Sequence, residues 1–194
     1  MTDLRRPKLL VLLLMLMLIL QSCVTTPAPV MHTSEKSNLA PAQAVNLARK
    51  YMEAGEYQNM IDVYNTEHRK HPHDQALISE YMRSIKNIKS AADRAFSNED
   101  FVSAGENYHV LLTNYPHFKG FAKDLSFSSV YLNKRFSHCK KTISKRGFQE
   151  YRKGNINGAI MLWQRLLAID PDNADIKKSL RTTKLQQKQL LENK

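Results

Sequence analysis

Along most of this chain apolar residues recur at steps of three and four, the spacing that lines up side chains on one face of an α-helix. The clearest stripe is Leu77, Tyr81, Ile85, Ile88, Ala92 and Ala95, which predicts a helix over roughly 75–97. A second set nearly keeps the rhythm: Phe118, Phe121, Leu125, Leu132, Phe136, Cys139 and Ile143. It predicts a helix over roughly 119–153, about 50 Å long at 1.5 Å per residue, unless Ser126, Ser128 and Ser129 break it. A weaker stripe runs through Ile176, Leu180, Thr183 or Lys184, and Leu191, after a cap at Asp172 or Asn173. Lys177, Lys178, Arg181, Lys184 and Lys188 cover the remainder of that last segment. No long run alternates Val, Ile and Thr, so the pattern predicts helices and no sheet.

The N-terminal pattern is different. Arg5, Arg6 and Lys8 precede an unbroken apolar run over 9–20. Twelve residues fall short of the roughly 20 that span a bilayer, but they suit the apolar centre of a signal peptide. The run ends in Leu20-Gln21-Ser22-Cys23. These four residues resemble the lipobox of bacterial lipoproteins, with Gln21 bulkier than is usual at its place. The resemblance implies a signal peptide over 1–22, cleavage before Cys23, and a diacylglycerol on the Cys23 sulfur. Several acyl chains, at about 0.8 kcal/mol per buried CH₂, anchor a protein firmly. Val24 in the next place implies outer-membrane delivery, facing the periplasm, if the source is Gram-negative, and otherwise anchoring at the cell membrane. Residues 23–40 are then the lipidated N-terminus and a flexible tether rich in Pro, Thr and Ser.

From residue 41 three segments align without gaps. The first reads Gly55-Glu56-Tyr57, then Met60, Tyr64 and Pro72; the second reads Glu99-Asp100-Phe101, then Ala104, Tyr108 and Pro116. The third reads Gly154-Asn155-Ile156, then Ala159, Trp163 and Pro171. This is the register of a helix–turn–helix unit. The turn breaks the first helix, a small residue lets the pair approach, an aromatic one turn later fills the groove, and proline ends the second helix. Ala44, Leu47, Ala48 and Tyr51, with Ala92 and Gly147 in the later units, stand where the tetratricopeptide repeat, which these segments resemble, places its first-helix packing residues.

These features resemble the tetratricopeptide repeat, TPR. The repeats fall at 41–74, 85–118 and 140–173 within a domain over 41–173, followed by a capping helix over 174–194. The expected fold is all-α: a right-handed superhelical stack of about three degenerate TPR helical hairpins with elongated first helices and a C-terminal capping helix. The repeats are degenerate because Met60 replaces a small residue and Glu99 a turn glycine, while Arg146 and Glu150 take normally apolar places. Glu67, Leu111 and Leu166 replace a second small residue. By resemblance, Arg49, Met52, Asp93, Phe96, Phe148 and Tyr151 would face a partner-binding groove.

Charge and chemistry narrow the reading. The formal charge is +11, and loss of 1–22 leaves +9, which favours acidic partners. Anionic lipid contact is compatible with it; nucleic acid is not expected behind an export signal. Eight cations crowd the third-helix region, from Lys134, Arg135, Lys140 and Lys141 to Lys145, Arg146, Arg152 and Lys153. His68, His71 and His73 cluster, but no cysteine or carboxylate completes a metal set and Pro72 interrupts the helix. No nucleophile elbow, phosphate loop or zinc-protease motif occurs, so no cofactor, metal or catalytic residue is expected. Trp163 and Cys139 read as core. The expected function is a membrane-anchored scaffold binding an envelope protein or peptide segment and assisting assembly or recruitment of an envelope complex. The alternatives are a self-associating structural spacer and, remotely, a metal-binding enzyme; oligomeric state is left open.

Overall fold

A computed structural model describes residues 40–192 except Ala122, all within the unit 38–194. The expected signal peptide, Cys23 and the tether up to residue 39 lie outside the described residues. The described chain is helical and without strands. Seven α-helices follow in order: α1 (Pro41–Glu53), α2 (Tyr57–Lys70), α3 (Gln75–Ser97), α4 (Phe101–Phe118), α5 (Ser129–Arg152), α6 (Ile156–Ile169) and α7 (Ala174–Glu192). They pack as a stack in which α1/α2, α3/α4 and α5/α6 form helical hairpins and α7 closes against α6.

The three hairpin turns share one hydrogen-bond pattern. Glu56 N donates to Tyr51 O, Asp100 N to Ala95 O, and Asn155 N to Glu150 O, at 2.8–2.9 Å. A bond of shorter sequence range, at 3.0–3.1 Å, precedes each, from Gly55, Glu99 and Gly154 to the carbonyl three residues back. This closure needs a left-handed residue. Gly55 and Gly154 supply it with φ of 74° and 80°, and Glu99 adopts φ 58° in the same place. Asp100 and Asn155 then cap the second helices by accepting from Ser103 N and Gly158 N.

The register residues form the core. Met60, Ala104 and Ala159 are fully buried, as are the aromatics one turn later, Tyr64, Tyr108 and Trp163. Ala48, Ala92 and Gly147 sit opposite them on the first helices and are buried too. Cys139 is buried in α5.

Two expected boundaries are corrected. The helix anticipated over 119–153 is two pieces: a 3₁₀ turn at Lys119–Phe121, then, after an irregular stretch, α5 from Ser129. Ser128 makes the break by accepting from Tyr131 N as the cap of α5. Leu125 and Phe127 are nevertheless buried, because the loop itself carries them into the core, and Phe118 is buried at the end of α4. Phe118 and Phe121 lie edge-on to Tyr81 of α3, with centroids at 5.8 and 6.2 Å. Pro116 was expected to stop α4, but the helix continues through it to Phe118. Asp74 and Asn173, two places after Pro72 and Pro171, accept from Leu77 N and Ile176 N and start new helices. The matching place after Pro116 is Phe118, which has no capping oxygen and is buried instead. Asn173, not Asp172, thus caps α7; Thr183, not Lys184, faces its core, and Leu191 is exposed. The α3 range matches the periodicity.

Candidate functional site

The helices lie in two layers. α2, α4 and α6 form one, tied by the paired amides of Gln58 and Asn114 and by Arg165, whose Nε and guanidinium nitrogen donate to both oxygens of Glu106 at 2.7 Å. The first helices α1, α3 and α5, with α7, form the other. α1 packs on α3; Asp93 joins α3 to α5; Tyr151 of α5 donates to Gln186 of α7 at 2.9 Å. The residues expected to face a partner all belong to this first layer, and the structure places them in three pairs.

Arg49 and Met52 line a cleft of about 300 Å³ between α1 and α3. Its far wall is Glu80, Arg83 and Asn87. Arg83 is held by Glu80, three residues before it.

Asp93 and Phe96 line neither that cleft nor the one between α5 and α7. The first two turns of α5 cover them. Asp93 Oδ1 accepts from Tyr108 Oη at 2.5 Å and from Tyr131 Oη at 2.8 Å, while Oδ2 pairs with Lys89 at 2.6 Å. Burial pushes this carboxyl up, but the bonds from Lys89, Tyr108 and Tyr131 outweigh it and hold the pKa below the ordinary value. The Arg135 guanidinium lies 4.3 Å from the centre of the Phe96 ring and donates through Nε to Tyr131 Oη at 3.3 Å. This joint between α3, α4 and α5 is satisfied within the chain. Asp93 and Phe96 are positioned to hold helices together rather than to meet solvent.

Phe148 and Tyr151 line a second cleft, of about 360 Å³, between α5 and α7. Trp163 forms its floor, 5.0 Å from Phe148 and 6.1 Å from Tyr151 between ring centres. Lys178 and Thr182 of α7 form the opposite wall. Phe148 stands 36% exposed, a large apolar face at the rim. Periodicity within one helix does not bring forward Arg83, Thr182 or Tyr131, and it presents Lys178 and Arg135 only as surface cations rather than as a cleft wall and a clamp. Tyr131 and Arg135, four apart in the first two turns of α5, leave a signal as an i,i+4 pair on one face.

Two of the departures from the repeat pattern, Glu99 and Arg146, are paired with each other. Arg146 donates to the carbonyl and the carboxylate of Glu99 at 2.9 Å each, and its guanidinium lies over Phe101 at 4.8 Å. It thereby clamps the one turn that lacks a glycine. Glu150 accepts from Lys153 and Asn155 at the matching turn of the third hairpin.

The groups with potential reactivity are engaged otherwise. Burial pushes the Cys139 thiol up to about 12, which leaves it protonated and unreactive at neutral pH. His68 packs against Phe121 at 5.3 Å, while His71 and His73 are exposed beyond the helix end. Among the described residues no group of three or more His, Cys, Asp or Glu is placed to hold a metal ion. Among the same residues no helix is long and apolar enough to cross a membrane. No protein-family model, curated protein or solved structure matches this chain.

Proposed function

We propose that this chain is a membrane-anchored lipoprotein whose degenerate TPR stack, a right-handed superhelix, serves as a protein–protein interaction scaffold in the bacterial cell envelope and catalyses nothing. The observation that carries the reading is the first layer. Its outward face presents open clefts, and four of the six expected contact residues, Arg49, Met52, Phe148 and Tyr151, line two of them. Mixed apolar and charged walls of this kind suit a polypeptide better than a small metabolite. Three hairpin turns with one backbone hydrogen-bond pattern, and buried small and aromatic residues in each hairpin, support the TPR assignment. Anchoring rests on Leu20-Gln21-Ser22-Cys23 after the apolar run, and an outer-membrane address facing the periplasm rests on Val24. The proposed partner is an envelope protein or peptide segment whose complex the scaffold helps assemble.

Two experiments test this. Labelled palmitate should enter the full chain and be lost in Cys23→Ala, with the protein moving from membrane to soluble fraction. Photo-crosslinking from Met52 and Phe148 in intact envelopes should capture a discrete partner. Crosslinks only to a second copy of the chain would favour the self-associating spacer instead.

A further inference from the structure

Among the described residues the net positive charge is confined to the C-terminal part. Residues 40–128 carry ten Lys and Arg against eleven Asp and Glu, whereas 129–192 carry fourteen against five. Much of the excess lies on α5, whose single carboxylate, Glu150, is already tied to Lys153 and Asn155. Arg135, Lys140 and Arg146 are engaged with Tyr131, Asp170 and Glu99. Lys134, Lys141, Lys145 and Arg152 are not: all four are exposed and have no partner among the described residues. Their spacings of seven, four and seven put them on one line along α5, opposite the buried Leu132, Cys139, Ile143 and Gly147. Beside this line, on the same flank, stand the exposed Val130 and Phe148, and at Phe148 the line passes the cleft floored by Trp163.

We propose that this outward ridge of α5 docks an acidic, extended polypeptide segment, one apolar side chain of which seats in the cleft beneath Phe148. The inference deepens the scaffold reading above and rests on it. Charge complementarity selects the occupant: a cationic row with no internal counter-ion, on the one helix surface that faces away from the core. The row is about 27 Å long at 1.5 Å per residue, which an extended segment of about eight residues spans at 3.3 Å each. A bilayer surface fits less well. The exposed leucines of α7, Leu185, Leu190 and Leu191, are spaced five and one apart and point in different directions, so they form no common apolar face to enter lipid.

The test uses the full chain and a fluorescein-labelled peptide of about ten residues, long enough to cover the row, alternating glutamate with glycine around one central phenylalanine. Anisotropy should report binding that weakens as salt is raised. K134Q/K141Q/K145Q/R152Q should weaken it about tenfold, four exposed pairs being lost. K50Q/K86Q/K119Q/K123Q removes the same charge from the other end and should change it by less than about twofold. Gln keeps helix propensity, and circular dichroism confirms that both variants fold. Trp163 is the only tryptophan, so its emission reads the cleft directly: the peptide should shift it, and a version with serine for phenylalanine should not. Equal weakening in both variants, or binding to phosphatidylglycerol vesicles with none to the peptide, overturns the proposal. An envelope partner crosslinked from Met52 but not from Phe148 would leave the scaffold reading standing and remove this one. Peptide binding without any envelope partner would do the reverse.

Discussion

Gly147 and Trp163 meet more closely than any other side chain at 147 would permit. A Cβ on Gly147 would lie 2.3 Å from Trp163 Nε1 and 2.7 Å from Cδ1, so alanine there must push α5 away from α6. Gly147→Ala should cost about 1–3 kcal/mol, the usual range for overpacking a filled core. Thermal unfolding would show it as a lower midpoint, and the tryptophan emission should redden as water reaches the indole. An unchanged midpoint would mean that the seam between α5 and α6 yields easily. Glu99 is the second residue on which local geometry turns. A non-glycine residue in the left-handed region costs roughly 1–2 kcal/mol, and Arg146 holds it there by bonds to its carbonyl and carboxylate. The two sites should therefore couple. Arg146→Ala should destabilise the parent protein more than it destabilises a Glu99→Gly background, and a double-mutant cycle measures the difference. Additive losses would show that the clamp contributes nothing. From the sequence Trp163 was legible as core because its register repeats Tyr64 and Tyr108. Glu99 and Arg146 were legible only as two separate departures, since 47 residues separate them and no periodicity links positions in different helices.

Among the elements, the N-terminal extension of α5 does the most to distinguish this stack. It brings Tyr131 and Arg135 over Asp93 and Phe96 and so closes the middle of the first layer while the clefts on either side stay open. Asp93→Ala leaves the phenols of Tyr108 and Tyr131 without their acceptor and should cost about 1–3 kcal/mol, the range for hydrogen bonds to a charged group. Its folded pKa is depressed, so its contribution is complete above the unfolded value near 3.9 and is lost as pH falls through the lower folded value. Asp93→Asn should therefore flatten the acid limb of a stability profile below about pH 4 and leave the slope between about pH 5 and 7 unchanged. A different group acts in that upper window. His109 of α4 packs on Phe136 of α5 at 5.5 Å between ring centres, beside the Lys140–Asp170 pair. Burial, aided by Lys140 and opposed by Asp170, lowers its pKa. A histidine lowered in this way stabilises the fold above its unfolded value near 6.5 and loses that contribution as pH falls toward the folded value. His109→Gln should remove the fall in urea midpoint between about pH 7 and 5; a fall of the same size in the variant rejects the assignment. The existence and length of α3 followed from its stripe, and so did the three hairpins. The loop before α5 followed only as the break allowed for at Ser126, Ser128 and Ser129, because Phe118, Phe121 and Leu125 are spaced like a helical stripe yet lie in the end of α4, a 3₁₀ turn and an irregular segment in turn. Burial sets such spacing as readily as helical geometry does. The Asp93 joint was hidden for a related reason: a half-exposed carboxylate on a first helix reads the same whether it awaits a partner or already bonds two tyrosines from other helices.

For the molecule as a whole, the distribution of charge sets the terms of stability as well as of recognition. An excess of nine positive charges lies within 129–192, next to a segment that is nearly neutral. Like charges held on neighbouring helices repel in the folded state and separate on unfolding, so this end is less stable than its apolar core alone would make it. The attractive surface pairs, such as Lys153 with Glu150 and Lys177 with Asp172, are short-range and exposed, and pairs of that kind add little. The net electrostatic effect on folding is thus unfavourable, and salt should relieve it. Raising ionic strength from about 0.01 M to 0.15 M shortens the screening length from about 30 Å to 8 Å, less than the span of the α5 row. The melting temperature should rise with it by about 2–4 °C, the shift that corresponds to roughly 1 kcal/mol in a chain of this size. K134Q/K141Q/K145Q/R152Q should raise the midpoint at low salt and respond less to added salt, because it starts with the repulsion already reduced. A parent midpoint that falls with salt would mean that ion pairs, not repulsion, dominate, and the cationic row would then carry no stability cost for a partner to offset. If the midpoint rises as expected, an acidic ligand along α5 relieves the same repulsion that salt does, and part of its binding free energy comes from the strain it removes from the free protein.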